Sequence, residues 1–430
     1  MRPLDRPETG IILSEGPGEV RAVRLAESVC IAFAAHRVGE VPLGTICRAL
    51  VRAHMPGVGA FLDIGAEAFL SGPVAEGLPL GARLLVQVNR AASGDKPLGV
   101  TRSLTWETPA LVLTYRPGVP GDISAARSLP EAERARLKAF LSDHLPPERR
   151  AAGFSVTARG PALERKQAAL AADLRALLVD ADGVAQDGPP GPVADATSLR
   201  RLIADLGADS AALPILAPLT LAPRLRAEGL AFDLAPPAVD PFTALDIDAE
   251  LAEVCAAEIP LPGGGRLWIE PTRALTAIDL DSGSDPRPPE GFVTDALRQV
   301  ARLLRLRGLG GTIVIDPPRL GSAVQARLMA VFKQALAADS VASDLLGITR
   351  GGLIEVTRPH RGAVLRERLF GPEGQALAIL RALVYGPPPR GPVAMTAAQM
   401  AWLDGPRGQA ARREAAQRLG QAPQFQVKED

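Results

Sequence analysis

A mixed α/β, multidomain fold is what this 430-residue chain predicts, and three observations carry the expectation. Short β runs between Val41 and Leu113 are broken by Gly or Pro turns about every ten residues, the rhythm of a small barrel. Residues 130–180 change to apolar positions at helical spacing with Arg and Lys between them. Residues 261–320 read as a hairpin, a strand, a helix and a strand, a β-α-β unit. A chain of this length exceeds one ordinary core and suits about two to four domains.

Taken in order, "IILSE", "VRAVRL" and "VCIAFAA" are strands of an antiparallel meander. "TICRALVRAHM", "GAFLDIG", "AFLSG", "ARLLVQVNR" and "LGVTRSL" supply the barrel strands. "LPEAERARLKAFLSDHL" and "ALERKQAALAADLRALLVD" are helices around one strand, and "DADGVAQDGPPGPVADATS" is a loop. "LPGGGRLWIEPTRALTAIDLDSGS" then gives a turn and two strands, and "TDALRQVARLLRLRG" a helix. Thr294 is its expected N-cap, Leu297, Val300, Ala301 and Leu304 its apolar stripe, and Gly308 its stop. "GGTIVIDPPRL" follows as a strand. Beyond Phe370 come helical segments and a polar end, "REAAQRLGQAPQFQVKED", expected to fray.

With 47% hydrophobic and 22% charged residues the chain can bury a sizeable interior. The formal net charge is zero, so no whole-protein basic field marks a polyanion binder, and a nucleic-acid site must be a local patch. Cys30, Cys47 and Cys255 lack any C-x-x-C spacing, which predicts core residues in a reducing compartment and no structural zinc. "MRPLDRPETGIILSEG" has no signal-peptide apolar core, and no run of about eighteen apolar residues is present, so the expectation is a cytoplasmic protein without a membrane segment.

Two aspartates close the strand "ALTAIDLD". Residues two apart share a strand face, so Asp279 and Asp281 point the same way. A right-handed crossover brings "TIVID" in parallel and sets Asp316 at the same carboxyl-terminal edge, where ligands bind in open α/β sheets. Carboxylates gathered there repel, and a hard divalent cation such as Mg²⁺ or Mn²⁺ removes the cost. From spacing alone, turn formation or helix capping accounts for Asp279 and Asp316 equally well.

"IEPTRALTAIDLDSGS" followed by "ARLLRLRGLGGTIVID" resembles the catalytic core of the ribonuclease E/G family: a strand ending in Asp-x-Asn, a helix closing in Arg-Leu-Arg-Asp-Leu-Gly-Gly, and a strand ending in Ile-Asp. Upstream, "GVGAFLDIGAEAFL" is similar to the family's S1-type OB fold, and "LGITRGGLIEVTR" to its Arg-Phe-Gly-Leu-Leu-Glu segment. The resemblance covers roughly residues 10–370. It implies RNase H-like and DNase I-like subdomains with an inserted S1-type OB barrel. It also implies Mg²⁺ at Asp279 and Asp316 and hydrolysis of single-stranded RNA to a 5′-phosphate and a 3′-hydroxyl. Phe61 and Phe69 match its base-stacking aromatics and Lys96 a basic residue near the RNA backbone; a core role for the rings and a solvated lysine are the plain alternatives. The expected division is 1–40 and 196–260 for the RNase H-like part, 41–115 for the barrel, 116–195 for a 5′-sensor-like region, 261–370 for the catalytic part and 371–430 for a tail.

The departures are specific. Asp281 stands where the family has Asn, as a third carboxylate for the metal or as added repulsion. The loop after it is shortened to "SGSDPRPPEG", and Thr294 and Asp295 stand where the family shows Asn and Glu. The family's zinc-link Cys-Pro-x-Cys and long scaffold arm are missing, so any homodimer is expected to form without zinc. In the family an Arg-Thr pair in "V-R-T-A-G" and a later arginine hold a 5′-phosphate. Here the strand reads "VTARG", putting Thr157 and Ala158 in those places, with Arg159 two residues on and Arg350 as the later arginine. The implied activity is an endoribonuclease with single-stranded RNA, not DNA, as its partner. The rivals are a member with weakened cleavage acting as an RNA-binding or ribosome-associated factor, and a metal phosphohydrolase for a small molecule.

Overall fold

The computed structural model describes residues 4–72, 77–92, 97–108, 110–127, 129–185, 187–193, 198–207, 212–339, 341–360, 362–389 and 391–428. They form two compact units, one of residues 1–40 with 197–430, the other of residues 41–196.

The first unit begins with the meander β1 (Gly10–Gly16), β2 (Glu19–Ala26) and β3 (Val29–Arg37). Every residue of β1 is buried, the apolar Ile11–Leu13 and the polar Ser14 and Glu15 alike, as in a strand covered on both faces. Gly18 makes the β1–β2 turn at φ 77°, and a Cβ there would lie 2.6 Å from the Cβ of Ala411.

The chain then builds the second unit. β4 (Ile46–Met55), β5 (Gly59–Asp63), β6 (Glu67–Ser71), β7 (Arg83–Arg90) and β8 (Leu98–Thr101) run in the order β4-β5-β6-β8-β7, and β4–β7 pairing closes the barrel. Cys47, Ala49, Val51, Leu62, Leu70, Val86 and Val100 fill its interior. A second sheet, ordered β11-β12-β10-β9, uses β9 (Leu104–Glu107), β10 (Leu111–Tyr115), β11 (Ile123–Ala125) and β12 (Phe154–Ala158). Leu137, Leu141, Leu170 and Leu174 of the two predicted helices share its core. Gly191–Pro192 pairs with β4 as β13, inside the Gly/Pro-rich loop.

Returning to the first unit, β14 (Ile215–Ala217) and β15 (Asp233–Leu234) lie parallel to β1, giving the order β15-β14-β1-β2-β3. Three antiparallel strands are thus joined by two parallel ones on the β1 side. The other large sheet, β16-β17-β18-β19-β21-β20, holds β16 (Glu258–Pro260), β17 (Arg266–Pro271), β18 (Leu275–Asp281), β19 (Gly311–Asp316), β20 (Asp344–Ile348) and β21 (Ile354–Arg358). β18 and β19 are parallel and joined by the helix Pro289–Arg307. Leu267, Ile269, Ile278, Leu280, Ile313, Ile315, Ile354 and Val356 share one core with Phe292, Leu297 and Val300 of that helix and with Ile12 and Val23 of the first sheet. The helix is buried on most of its surface because both sheets use it.

Two local expectations need correcting. Thr294 is not the N-cap: the helix starts five residues earlier, at Pro289 after the cap Pro288, and the Thr294 hydroxyl donates to the Glu290 carbonyl at 2.8 Å. Proline's fixed φ suits a first helical position, and a threonine inside a helix bonds back to the preceding turn. Gly308 ends the helix at φ 66°, as expected. The polar C-terminal stretch does not fray. It forms the helix Pro406–Leu419 and β23 (Phe425–Val427), which pairs with β22 (Val393–Met395). Ala411 and Ala415 are fully buried, so the helix docks through small residues that carry little hydropathy. Arg418 also reaches Glu15 at 3.1 Å.

A buried charge network crosses the first unit. Glu19 accepts from Arg37 at 2.7 Å and Arg381 at 2.9 Å, while Arg21 reaches Asp240 at 3.1 Å and Asp248 at 2.6 Å. Burial pushes the Glu19 carboxyl up, but Arg37, Arg381 and Arg21 outweigh it and hold the pKa at about 2. Among the described residues, no helix is long and apolar enough to cross a membrane.

The depressed Glu19 pKa gives stability that is complete above its ordinary value of 4.5 and is lost as the pH falls towards about 2. Glu19→Gln should therefore flatten the acid limb of the unfolding curve between those values. Glu19→Ala should cost about 3–5 kcal/mol at neutral pH by leaving buried guanidinium groups unpaired. Urea melts from pH 2 to 7 measure both, and an unchanged acid limb in Glu19→Gln would remove Glu19 as its source.

Candidate functional site

The alternation of β18 buries Ile278 and Leu280 and leaves Asp279 and Asp281 exposed on the opposite face. Parallel register sets Asp279 directly beside Asp316, the last residue of β19. Across the sheet the pairing continues as Glu258, Trp268, Asp279, Asp316, one residue from each of four neighbouring strands.

Burial, then the charges of Asp316 and Asp281, hold the Asp279 carboxyl above the ordinary aspartate value, and the Leu280 backbone N–H only partly offsets them. Among the described residues, none of these three carboxylates is in an ion pair. Asp281 Oδ1 accepts from the Gly283 backbone N–H at 2.9 Å, so one of its oxygens is engaged in its own turn. Among the described residues no cluster of three or more His, Cys, Asp or Glu side chains is gathered for a metal. The carboxylates that register brings side by side are therefore a pair, Asp279 with Asp316, and Asp281 lies next to it on β18. Two adjacent carboxylates under mutual repulsion suit a hard divalent cation, with water filling the remaining positions.

Arg287 organises the shortened loop, reaching Asp285 at 2.6 Å and Asp295 at 2.5 Å on the following helix. Asp295, one of the departures noted in the sequence, is therefore what ties this loop down. Neither Arg287 nor Trp268 was singled out in the sequence. The signal for Trp268 was there in "RLWIE", whose alternation sets it opposite buried Leu267 and Ile269.

In the second unit Phe61 and Phe69 are cross-strand partners whose rings meet edge-on at 5.1 Å and 61°. Both are half-buried and neither belongs to the barrel core, which takes their neighbours Ala60, Leu62, Ala68 and Leu70. They stand on the outer wall. Gly59 makes room for them, since a Cβ there would lie 2.6 Å from the Phe69 ring. The same row runs through Ala53, Phe61, Phe69, Gly99 and Arg90. Lys96 lies outside the described residues.

The remaining expected residues fall in separate places. The Thr157 hydroxyl shares a hydrogen bond with Ser124 at 2.8 Å, and Arg159 pairs with Glu107 at 2.5 Å, both in the second unit. Arg350 is exposed in a turn of the first unit. Cys30, Cys47 and Cys255 are free and buried, as expected.

Residues 231–361, which contain the carboxylate pair, match the model of the Ribonuclease E/G family. Ribonuclease E of Synechocystis is 26% identical over 385 residues, covering 80% of this chain and 55% of the relative. The chain is similar to the ribonuclease E/G family. Ribonuclease E of Escherichia coli is 27% identical over 368 residues, 79% of this chain and 32% of its own. Ribonuclease G of Escherichia coli is 32% identical over 124 residues, 27% of this chain and 25% of its own. The chain spans about half the length of the cyanobacterial ribonuclease E relatives it matches.

The geometry sets two stability outcomes. Because the fold raises the Asp279 pKa, its ionised form opposes folding at pH above that value, and Asp279→Asn should leave the melting temperature at pH 7 unchanged or higher. Phe61→Ala should cost about 1–3 kcal/mol, an aromatic pair plus the burial of half a ring, and not the roughly 3–5 kcal/mol of a core cavity. Thermal melts decide both; a large loss in Phe61→Ala would return the ring to the core.

Proposed function

We propose that the chain is a divalent-metal-dependent endoribonuclease for single-stranded RNA, serving RNA processing or decay in the cytoplasm. The side-by-side Asp279 and Asp316 carboxylates carry the reading, and the similarity to ribonuclease E of Synechocystis and Escherichia coli supports it. Asp279 and Asp316 hold the ion, and Asp281 has its second oxygen to spare. A bound Mg²⁺ or Mn²⁺ supplies polarisation of a phosphoryl oxygen and a water of lowered pKa. Cleavage then leaves a 5′-phosphate and a 3′-hydroxyl. The outer-wall pair Phe61 and Phe69 offers flat apolar faces on which bases stack without sequence preference. The barrel, residues 41–115, holds the strand, and residues 261–370 cut it.

One observation favours a second reading, a family member that binds RNA and cuts weakly: Asp281 replaces the family's Asn and is partly spent on its own turn. Incubating purified protein with end-labelled single-stranded RNA, with and without Mg²⁺, separates the two. Cleavage should require the ion and vanish in Asp279→Asn and Asp316→Asn, with binding retained. Binding without cleavage selects the second reading, and neither activity sinks both. Since Asp279 must be ionised to hold a cation, cleavage should begin to fall on acidification above the usual aspartate range. Asp281→Asn should move that limb to lower pH by removing one of the charges that raise it.

We further propose that this chain senses an RNA 5′-phosphate weakly. Thr157 takes the arginine's place and is bonded to Ser124, and Arg159 is engaged with Glu107, leaving Arg350 as the matching cation. RNAs carrying a 5′-monophosphate or a 5′-hydroxyl should be cut at rates within about tenfold, since one charge-assisted phosphate contact is worth about 1.5–3 kcal/mol. A larger preference that disappears in Arg159→Ala would show that the pocket survives.

A further inference from the structure

Three tryptophans occur in a chain with only 4% aromatic residues. Trp106 packs against the core of the second unit's four-stranded sheet and Trp402 against that of the C-terminal helices. Trp268 does neither. It is 36% exposed on the open face of its sheet, and among the described residues no ring or guanidinium stacks on it. Its register partners are Asp279 on one side and Glu258 on the other. Directly paired residues on one face have Cβ atoms about 4.5–5.5 Å apart, so the indole stands beside the carboxylate pair, one strand from Asp279 and two from Asp316. On the same face Arg266, the register partner of Asp281, is ion-paired with Glu258 at 3.1 Å, and Glu270 brings no charge that a phosphate would seek. Beside that ion pair, the flat surface offered to a base is the indole.

We propose that Trp268 is a base-stacking platform at the cleavage site, holding the base next to the phosphate that sits at Asp279 and Asp316. This rests on the endoribonuclease reading and adds a positioning contact to it. A base held on the indole restrains the adjoining phosphate, because the strand between them is one nucleotide long. The contact is blind to base identity, as every base has a π-face, but it requires a single strand, since a paired base has no free face to offer. Trp268 thereby selects unpaired RNA at the scissile position itself, a second selection separate from the Phe61 and Phe69 pair.

The test uses the full chain. With Trp106→Phe and Trp402→Phe in place, Trp268 is the sole indole, and single-stranded oligoribonucleotide added in EDTA should quench its emission. A ribose-phosphate oligomer without bases should not. In Mg²⁺, Trp268→Ala should lower kcat/KM by about 5- to 150-fold, and Trp268→Phe should restore most of it. A substrate with one abasic nucleotide beside the scissile phosphate should slow the wild type similarly and Trp268→Ala no further, a non-additivity that a merely structural role would not produce. Circular dichroism and melting check the fold of each variant. Unchanged kcat/KM in Trp268→Ala, or equal penalties for the abasic substrate in both proteins, overturns the proposal while the nuclease reading stands. An emission unmoved by RNA, with Trp268→Ala changing the mass by light scattering, overturns it in favour of self-association through this face. A wild type that cuts no RNA fails the underlying reading, and quenching by RNA in EDTA still reports whether a base stacks.

Discussion

The parallel pairing of β18 with β19 is the constraint on which the candidate site depends. Parallel neighbours need a crossover, and the helix Pro289–Arg307 supplies it. β19 ends at Asp316 directly beside Asp279, and β18 runs two residues further to Asp281, so the outward-facing residues at this edge are all aspartates. The core beneath them, Ile278, Leu280, Ile313 and Ile315, allows no slip, since moving either strand by one residue would send its apolar set to solvent and its carboxylate into the core. The repulsion between the carboxylates is thus sustained by hydrophobic burial on the reverse face of the same strands.

Much of this was legible in the sequence, for physical reasons. Alternation with period two in "ALTAIDLD" and "GTIVID" put the aspartates on one face, and handedness put them at one edge. The closed barrel followed from five short runs with regular breaks. What escaped had weaker local signatures. The start of the helix before β19 is set by Pro288 and Pro289, which read as loop, while Thr294 offered a conventional cap in the wrong place. The C-terminal helix docks through Ala411 and Ala415, and small residues give no amphipathic stripe to see. Phe61 and Phe69 were ambiguous because a ring suits either side of a barrel wall; the closed register and their buried neighbours Ala60 and Leu70 decide for the outer side. The Arg287 clamp joins groups two and eight residues apart, a contact that periodicity does not encode.

The two units stabilise themselves differently. The barrel is filled by aliphatic side chains with one buried thiol, and the buried Gln87 amide of β7 hydrogen-bonds Gly44 and Thr105. The first unit buries Glu19, Arg21, Arg37, Asp240 and Arg381 in its interior. Such groups are costly to desolvate and are tolerated only in one mutual arrangement, so they specify how β2, β3 and the helix Pro372–Tyr385 fit more than they add to net stability.

The pairing of Ile11 with Ile215 has a consequence for how the chain assembles. The second unit lies between the two partners, so during synthesis it has left the ribosome in full before the parallel neighbour of β1 exists. Until then the first strands are a bare meander with two apolar faces, and domains that emerge early fold as units. The loop to be closed is long, yet a folded insert brings its own ends together and replaces a random search with a short one. The helix that seats Ala411 against the Gly18 turn is made later again, so the β1–β2 hairpin is covered there only after β14 exists.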